Sequence, residues 1–163
     1  MAHSLYDAVI PPAIHMLGSL ASILAKGEEH GGIDPNESRL APDMLPLKAQ
    51  VYIATDTAKG AGARLAGVEI PKYDDIEVTF ADLRSRCAKT IAFLKSLDRA
   101  QFDGAENKQI VLKFPSSSME FTGTDYVGKF VLPNLYFHIT AAYAILRNRG
   151  VALGKTDYLG GAK

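Results

Sequence analysis

At 163 residues the chain is sized for one domain. A domain of that size buries roughly 70% of its unfolded surface and needs no covalent staples. Hydrophobic residues make up 47% and charged residues 22%, an ordinary globular composition, and 18 Lys+Arg balance 18 Asp+Glu. That balance argues against a dedicated nucleic-acid binder. A single cysteine excludes an internal disulfide and favours a reducing compartment. The first residues lack a basic region, and Asp7 interrupts the apolar stretch, so no signal or transit peptide is expected. No unbroken run of about 18 apolar residues occurs, so no membrane span is expected and the cytoplasm is the expected location.

Ile10, Ile14, Leu17, Ala21 and Leu24 recur at spacings of three and four and predict a first helix over about residues 4–29. Pro11 and Pro12 either open that helix or kink its first turns, and Gly31-Gly32 ends it. Asp34-Pro35 reads as an N-cap with Pro at N1, for a short helix over 36–40. A second helix over about 44–66 carries the stripe Leu47, Val51, Ala54, Ala58, Ala61 and Leu65. With Gly60 and Gly62 beside it, this small-residue stripe leaves room for a close neighbour or a ligand. Thr79 and Asp82 form a capping-box pattern for a third helix over about 80–97. Phe80, Leu83, Cys87, Thr90, Ile91 and Leu94 face inward on it, and Cys87 reads as a buried, inert thiol. Residues 109–114 and 119–121 read as two strands around a turn at 115–118, a hairpin that must pack on the helices or join another sheet edge. A fourth helix over about 123–148 ends at Gly150, and 151–163 reads as a surface tail. Together these elements predict one all-α domain, a four-helix bundle with a short hairpin between the third and fourth helices.

The fourth helix carries the informative face. At about 100° per residue, Asn134 falls about 40° from His138, and Val127, Val131, Ala141, Ala142 and Ile145 fall within about 60°. His138 and Asn134 thus lie one turn apart in an apolar stripe. A buried polar group left unpaired costs about 1–3 kcal/mol, so the histidine needs a partner. Gln50, at the margin of the second helix's stripe, is the residue best placed to meet it. Asp56 is expected to face solvent, and Tyr52 to point away from the stripe. Both a hydrogen-bonded core pair and a ligand-facing pair fit this pattern. His15 should face outward, His30 sits at a helix end, and His3 lies near the terminus. No HxxxH, HExxH or CxxC occurs, so no self-sufficient metal motif is present. Residues 150–156 imitate a phosphate loop but are one residue short and follow a helix instead of a strand.

Several segments carry a resemblance to a known family: Arg39-Leu40-Ala41-Pro42-Asp43-Met44-Leu45-Pro46-Leu47, Phe102-Asp103-Gly104-Ala105-Glu106, Pro133-Asn134-Leu135-Tyr136-Phe137-His138, Ala142-Tyr143-Ala144-Ile145-Leu146-Arg147 and Gly154-Lys155-Thr156-Asp157-Tyr158. Together they resemble a mainly bacterial domain of unknown function, number nineteen-ninety-three, which is similar to the DinB/YfiT-like four-helix bundles. The resemblance implies a homodimer and a divalent-metal site of three histidines, one from the second helix and two from the fourth. Some members of that superfamily are thiol-dependent transferases. Here His138 matches the second histidine of the fourth-helix pair, and Asn134 stands where the first would be. Gln50, Tyr52 or Ile53 stands where the second-helix histidine would be.

Asn and Gln are weak ligands for zinc or nickel, so no metal or other cofactor is expected, and His138 is the ligand if one binds. The expected function is small-molecule binding in the bundle cavity by Gln50, Asn134 and His138, with Tyr136 or Tyr143 near its mouth. The alternatives are a metal-dependent DinB-like enzyme using zinc or nickel, and a non-catalytic dimeric module. The expected partners are a small molecule and a second copy of the chain, with neither nucleic acid nor membrane.

Overall fold

The computed structural model describes residues 4–161. His3 and the last two residues of the expected tail lie outside them. Helix α1 spans Leu5–His30, α2 Leu47–Ala66 and α3 Phe80–Lys95. The Ser4 hydroxyl accepts the Tyr6 N–H at 3.2 Å and opens α1, which then runs through Pro11 and Pro12. The prolines therefore do not open the helix. Two intrahelical donors are lost to them, and burial of Ile10, Leu17, Leu20 and Leu24 on the core face outweighs the loss. Gly31, at φ 74°, ends α1 in a conformation that disfavours any side chain with a Cβ.

The helix expected over 36–40 is a single turn. Asp34 Oδ1 accepts the Asn36 N–H at 2.8 Å, and the Asp34 carbonyl accepts from Ser38 at 3.0 Å. The carbonyls that would continue such a helix serve α2 instead. Ser38 O accepts the Leu47 N–H at 2.8 Å and Pro35 O accepts the Lys48 N–H at 3.0 Å, which caps the α2 start. All six stripe residues of α2 are buried.

The capping box on α3 forms: Thr79 Oγ1 accepts the Asp82 N–H at 3.1 Å, and Asp82 Oδ2 accepts the Thr79 N–H at 3.0 Å. The Thr79 hydroxyl, at 2.7 Å, and the Thr79 and Val78 backbone N–H groups donate to the Asp82 carboxylate and hold its pKa below the ordinary range. Thr79→Ala should cost about 1 kcal/mol in urea denaturation, and an unchanged midpoint would show that the cap contributes nothing. On the same helix Cys87 is fully buried, and that burial pushes its thiol up to about 12, so it is inert. Ile91, expected inward, is half-buried.

After α3, two 3₁₀ turns lead to strands β1 (Gln109–Phe114) and β2 (Ser117–Thr122), antiparallel with Leu112 opposite Met119. Ile110 and Leu112 point into the core, so the hairpin packs on the bundle. A Cβ built on Gly123 would sit 1.8 Å from the Ala105 carbonyl oxygen, so only glycine lets the chain pass here. The fourth helix, α4, begins as the turn Gly123–Asp125, passes through a π-helical segment, Tyr126–Val131, and continues as α-helix Leu132–Asn148. Pro133 gives the reason for the π segment. Its ring would strike the carbonyl one α-turn earlier, and the wider turn makes room.

In the bundle α1 packs on α3 and α2 on α4, with further contacts of α2 to α3 and of α1 to α2 and α4. Helix α1 contains an 18-residue window that is long and apolar enough to cross a membrane, although no unbroken apolar run marks it in the sequence. Half of that window is buried in the bundle, so core packing accounts for its apolarity. Residues after α4 lie along α1: Val151 and Leu153 are buried, Lys26 pairs with Asp157 at 2.7 Å, and His15 Nε2 meets the Leu159 carbonyl at 2.9 Å.

Candidate binding cavity

A cavity of about 490 Å³ lies between α2, α4 and the hairpin. Helix α2 contributes Ile53, Asp56, Thr57 and Arg64, and the hairpin contributes Leu112, Lys113 and Phe114. Helix α4 contributes Tyr126, Phe130, Asn134 and His138, each four residues after the last. On a regular helix every fourth residue advances about 40°, which would carry Tyr126 about 120° away from His138. The π segment takes more residues per turn and rotates Tyr126 and Phe130 back onto one face. Their rings stack with centroids 5.9 Å apart. Straight-helix reasoning misses both aromatics; Pro133 is the sequence signal that marks the irregular turn.

His138 is buried, and its Nδ1 lies 2.7 Å from Gln50 Oε1. Gln50 is itself buried, and its Nε2 donates to the Leu45 carbonyl at 3.0 Å. That second bond sets the amide orientation, so Oε1 is the acceptor and His138 Nδ1 must carry the proton. Burial lowers the His138 pKa and holds the ring neutral. Its Nε2 is therefore a bare lone pair on the cavity wall, with no protein partner among the described residues. Asn134 does not join this pair. Its Nδ2 donates to Thr57 Oγ1 at 2.7 Å, one turn along the cavity.

Tyr136 and Tyr143, expected near the mouth, do not line the cavity. Tyr136 is exposed, and Tyr143 packs edge-on against Tyr158. Tyr52 points away from His138, but not to solvent: it is buried, with its hydroxyl donating to the Glu77 carbonyl. Ile53, one residue on, reaches the cavity wall.

Asp56 is half-exposed rather than simply solvated. It pairs with Arg86 at 3.0 Å and with Lys59 at 2.9 Å. Arg86 is fully buried on α3 and was not singled out by the sequence pattern. Its guanidinium also reaches Asp75 at 3.0 Å, Glu77 at 3.1 Å and Thr55 Oγ1 at 2.8 Å, beneath the rings of Tyr52 and Tyr73. Arg86 stands about 90° from the centre of the α3 stripe, a margin position a long side chain can turn inward from.

The donor set does not fit the three-histidine metal centre that the resemblance implies. One imidazole faces the cavity, Gln50 Oε1 is taken by His138, and Asp56 is taken by two cations. No group of three His, Cys, Asp or Glu residues is arranged to hold a metal ion among the described residues.

The chain matches, over residues 5–159, the profile of a family described as a domain of unknown function, DUF1993. It superposes on the crystal structure of a DinB family member protein from Shewanella denitrificans with a TM-score of 0.88 and 41% sequence identity. The alignment covers 97% of this chain and 93% of that one. A comparison with curated proteins finds no match. With that coverage the chain belongs to the DUF1993 family, built on the DinB-like four-helix bundle.

Proposed function

We propose that the α2–α4 cavity binds a small organic molecule, with His138 Nε2 as the acceptor that orients it and without a tightly held metal. The observation that carries this reading is the bare Nε2, set by the chain Leu45 carbonyl, Gln50 amide, His138 Nδ1–H. A neutral imidazole held in one tautomer is built to accept a proton or a hydrogen bond from a guest. Apolar walls from Ile53, Leu112, Phe114 and Phe130 supply the area that a small ligand buries.

The test has two measurements. Elemental analysis of untagged protein should find zinc and nickel far below one equivalent; a stoichiometric metal bound through His138 overturns the metal-free reading. A thermal-shift screen of small acids, amides and alcohols should yield compounds that raise the melting temperature, since a ligand of the native state stabilises it. His138→Ala should erase those shifts while lowering the protein's own melting temperature only slightly, because cavity water can reach Gln50. Shifts that survive His138→Ala place the guests elsewhere and reject the proposal.

A further inference from the structure

Arg64 lies at the opposite end of the cavity from His138. It makes no ion pair among the described residues, and its Nη1 donates to the Tyr126 hydroxyl at 3.1 Å. The guanidinium folds back over α2 onto Gly60. A Cβ built on Gly60 would stand 2.3 Å from Nη1, so glycine at this position is what seats the side chain. Of the five N–H donors of the guanidinium, one has a protein acceptor. The Tyr126 hydroxyl accepts from Arg64 and keeps its own proton to donate. Burial holds its pKa above the ordinary 10.0, so that proton stays in place. Lys113, a second cation without an ion-pair partner among the described residues, lines the same cavity, whereas the one carboxylate there, Asp56, is neutralised by Arg86 and Lys59.

We infer that the cavity takes a small organic carboxylate, with its carboxylate on Arg64 and Tyr126 and its apolar body along Phe130, Phe114 and Ile53. This rests on the cavity being a binding site and adds the chemical class of the ligand. A positioned guanidinium with free donors matches the two oxygens of a carboxylate, and the flanking hydroxyl adds a third donor. His138 stands twelve residues along α4 from Tyr126, the residue on which the Arg64 guanidinium sits. The acid group and the atom facing His138 are therefore opposite ends of an elongated guest.

Ligand-observed NMR titration with 6-hydroxyhexanoate and 4-hydroxyphenylacetate, each paired with its neutral amide, tests the inference; the distal hydroxyl is the donor that faces His138 Nε2. In the wild-type protein each acid should bind at least tenfold more tightly than its amide. Arg64→Gln should bring that ratio close to one. Gly60→Ala should do the same while leaving every charge in place, since the new methyl displaces the guanidinium. If acid and amide bind equally in the wild type and both are lost in His138→Ala, the cavity binds but the carboxylate assignment is wrong. An acid preference that survives both Arg64→Gln and Gly60→Ala also overturns it. If neither acid nor amide binds, the inference fails together with the reading it rests on.

Discussion

Arg86→Met should lower stability by about 3–5 kcal/mol, the loss expected when one partner of a buried ion network is removed and the others are left without it. For a chain of this length each kcal/mol moves the melting temperature by about 2–4 °C, so the drop should be about 6–20 °C. The size of the effect follows from burial. Arg86 is fully buried, and the Glu77 carboxylate it holds is almost as deep. Asp56 and Asp75 are half-exposed, and water will replace the arginine for them at little cost. Glu77 is therefore the group most affected by the substitution, left with the half-exposed Lys89, at 3.4 Å, as its remaining cation. The double variant Arg86→Met, Glu77→Gln should recover part of the loss, because a neutral amide is cheaper to bury than a carboxylate that has lost its main cation. Urea denaturation of the single and double variants decides the matter; a single-variant loss below about 1 kcal/mol would mean that the network contributes little.

The same network sets an acid limit. Burial alone would raise the Glu77 pKa, but the hydrogen bond from its own backbone and the Arg86 charge together bring it below the ordinary 4.5. A carboxyl with a depressed native pKa stabilises the fold above its unfolded value. That contribution disappears as pH falls through the native one. The wild type should lose stability below about pH 4.5 more steeply than the double variant, which lacks the titrating group.

The four helices, their boundaries within a few residues and the hairpin are legible in the sequence because each follows a local rule. Leu47, Val51, Ala54, Ala58, Ala61 and Leu65 repeat at helical spacing, and all are buried. Gln50 facing His138 follows from the same geometry, since both stand on the inner faces of neighbouring helices. Three features resist that reasoning. The π segment shifts Phe130 and Tyr126 by up to about a quarter and a third of a turn, so a regular wheel points them elsewhere. The loop bearing Tyr73, Asp75 and Glu77 has no periodicity, so nothing local announces that it closes over Arg86. Arg64 folds back onto Gly60, and a wheel gives the direction of a Cβ but not of a guanidinium several bonds beyond it. The missed residues are thus those whose position depends on a long side chain, a loop or an irregular turn.

Guest binding through His138 should weaken as pH falls, and the direction follows from its tautomer. The acceptor is Nε2, which exists only while the ring is neutral. Burial lowers the native pKa below the ordinary 6.5, so binding should hold constant at neutral pH and begin to fall only below that value. Beyond that point affinity should drop by about tenfold per pH unit, since each binding event must first remove a proton. Stability moves the same way for a separate reason. The unfolded chain takes up the histidine proton at about 6.5, before the native ring does. The folded state is thus penalised progressively as pH falls from 6.5 to the lowered native pKa, and by a constant amount below it. His138→Gln keeps a polar side chain against Gln50 but has nothing to titrate. Titration of a hit compound, uncharged across the range, should show the acid loss in the wild type and a flat, weaker profile in His138→Gln. A wild-type affinity that rises toward acid would mean that the imidazolium is the binding form, with His138 donating to the guest through Nε2 instead of accepting from it.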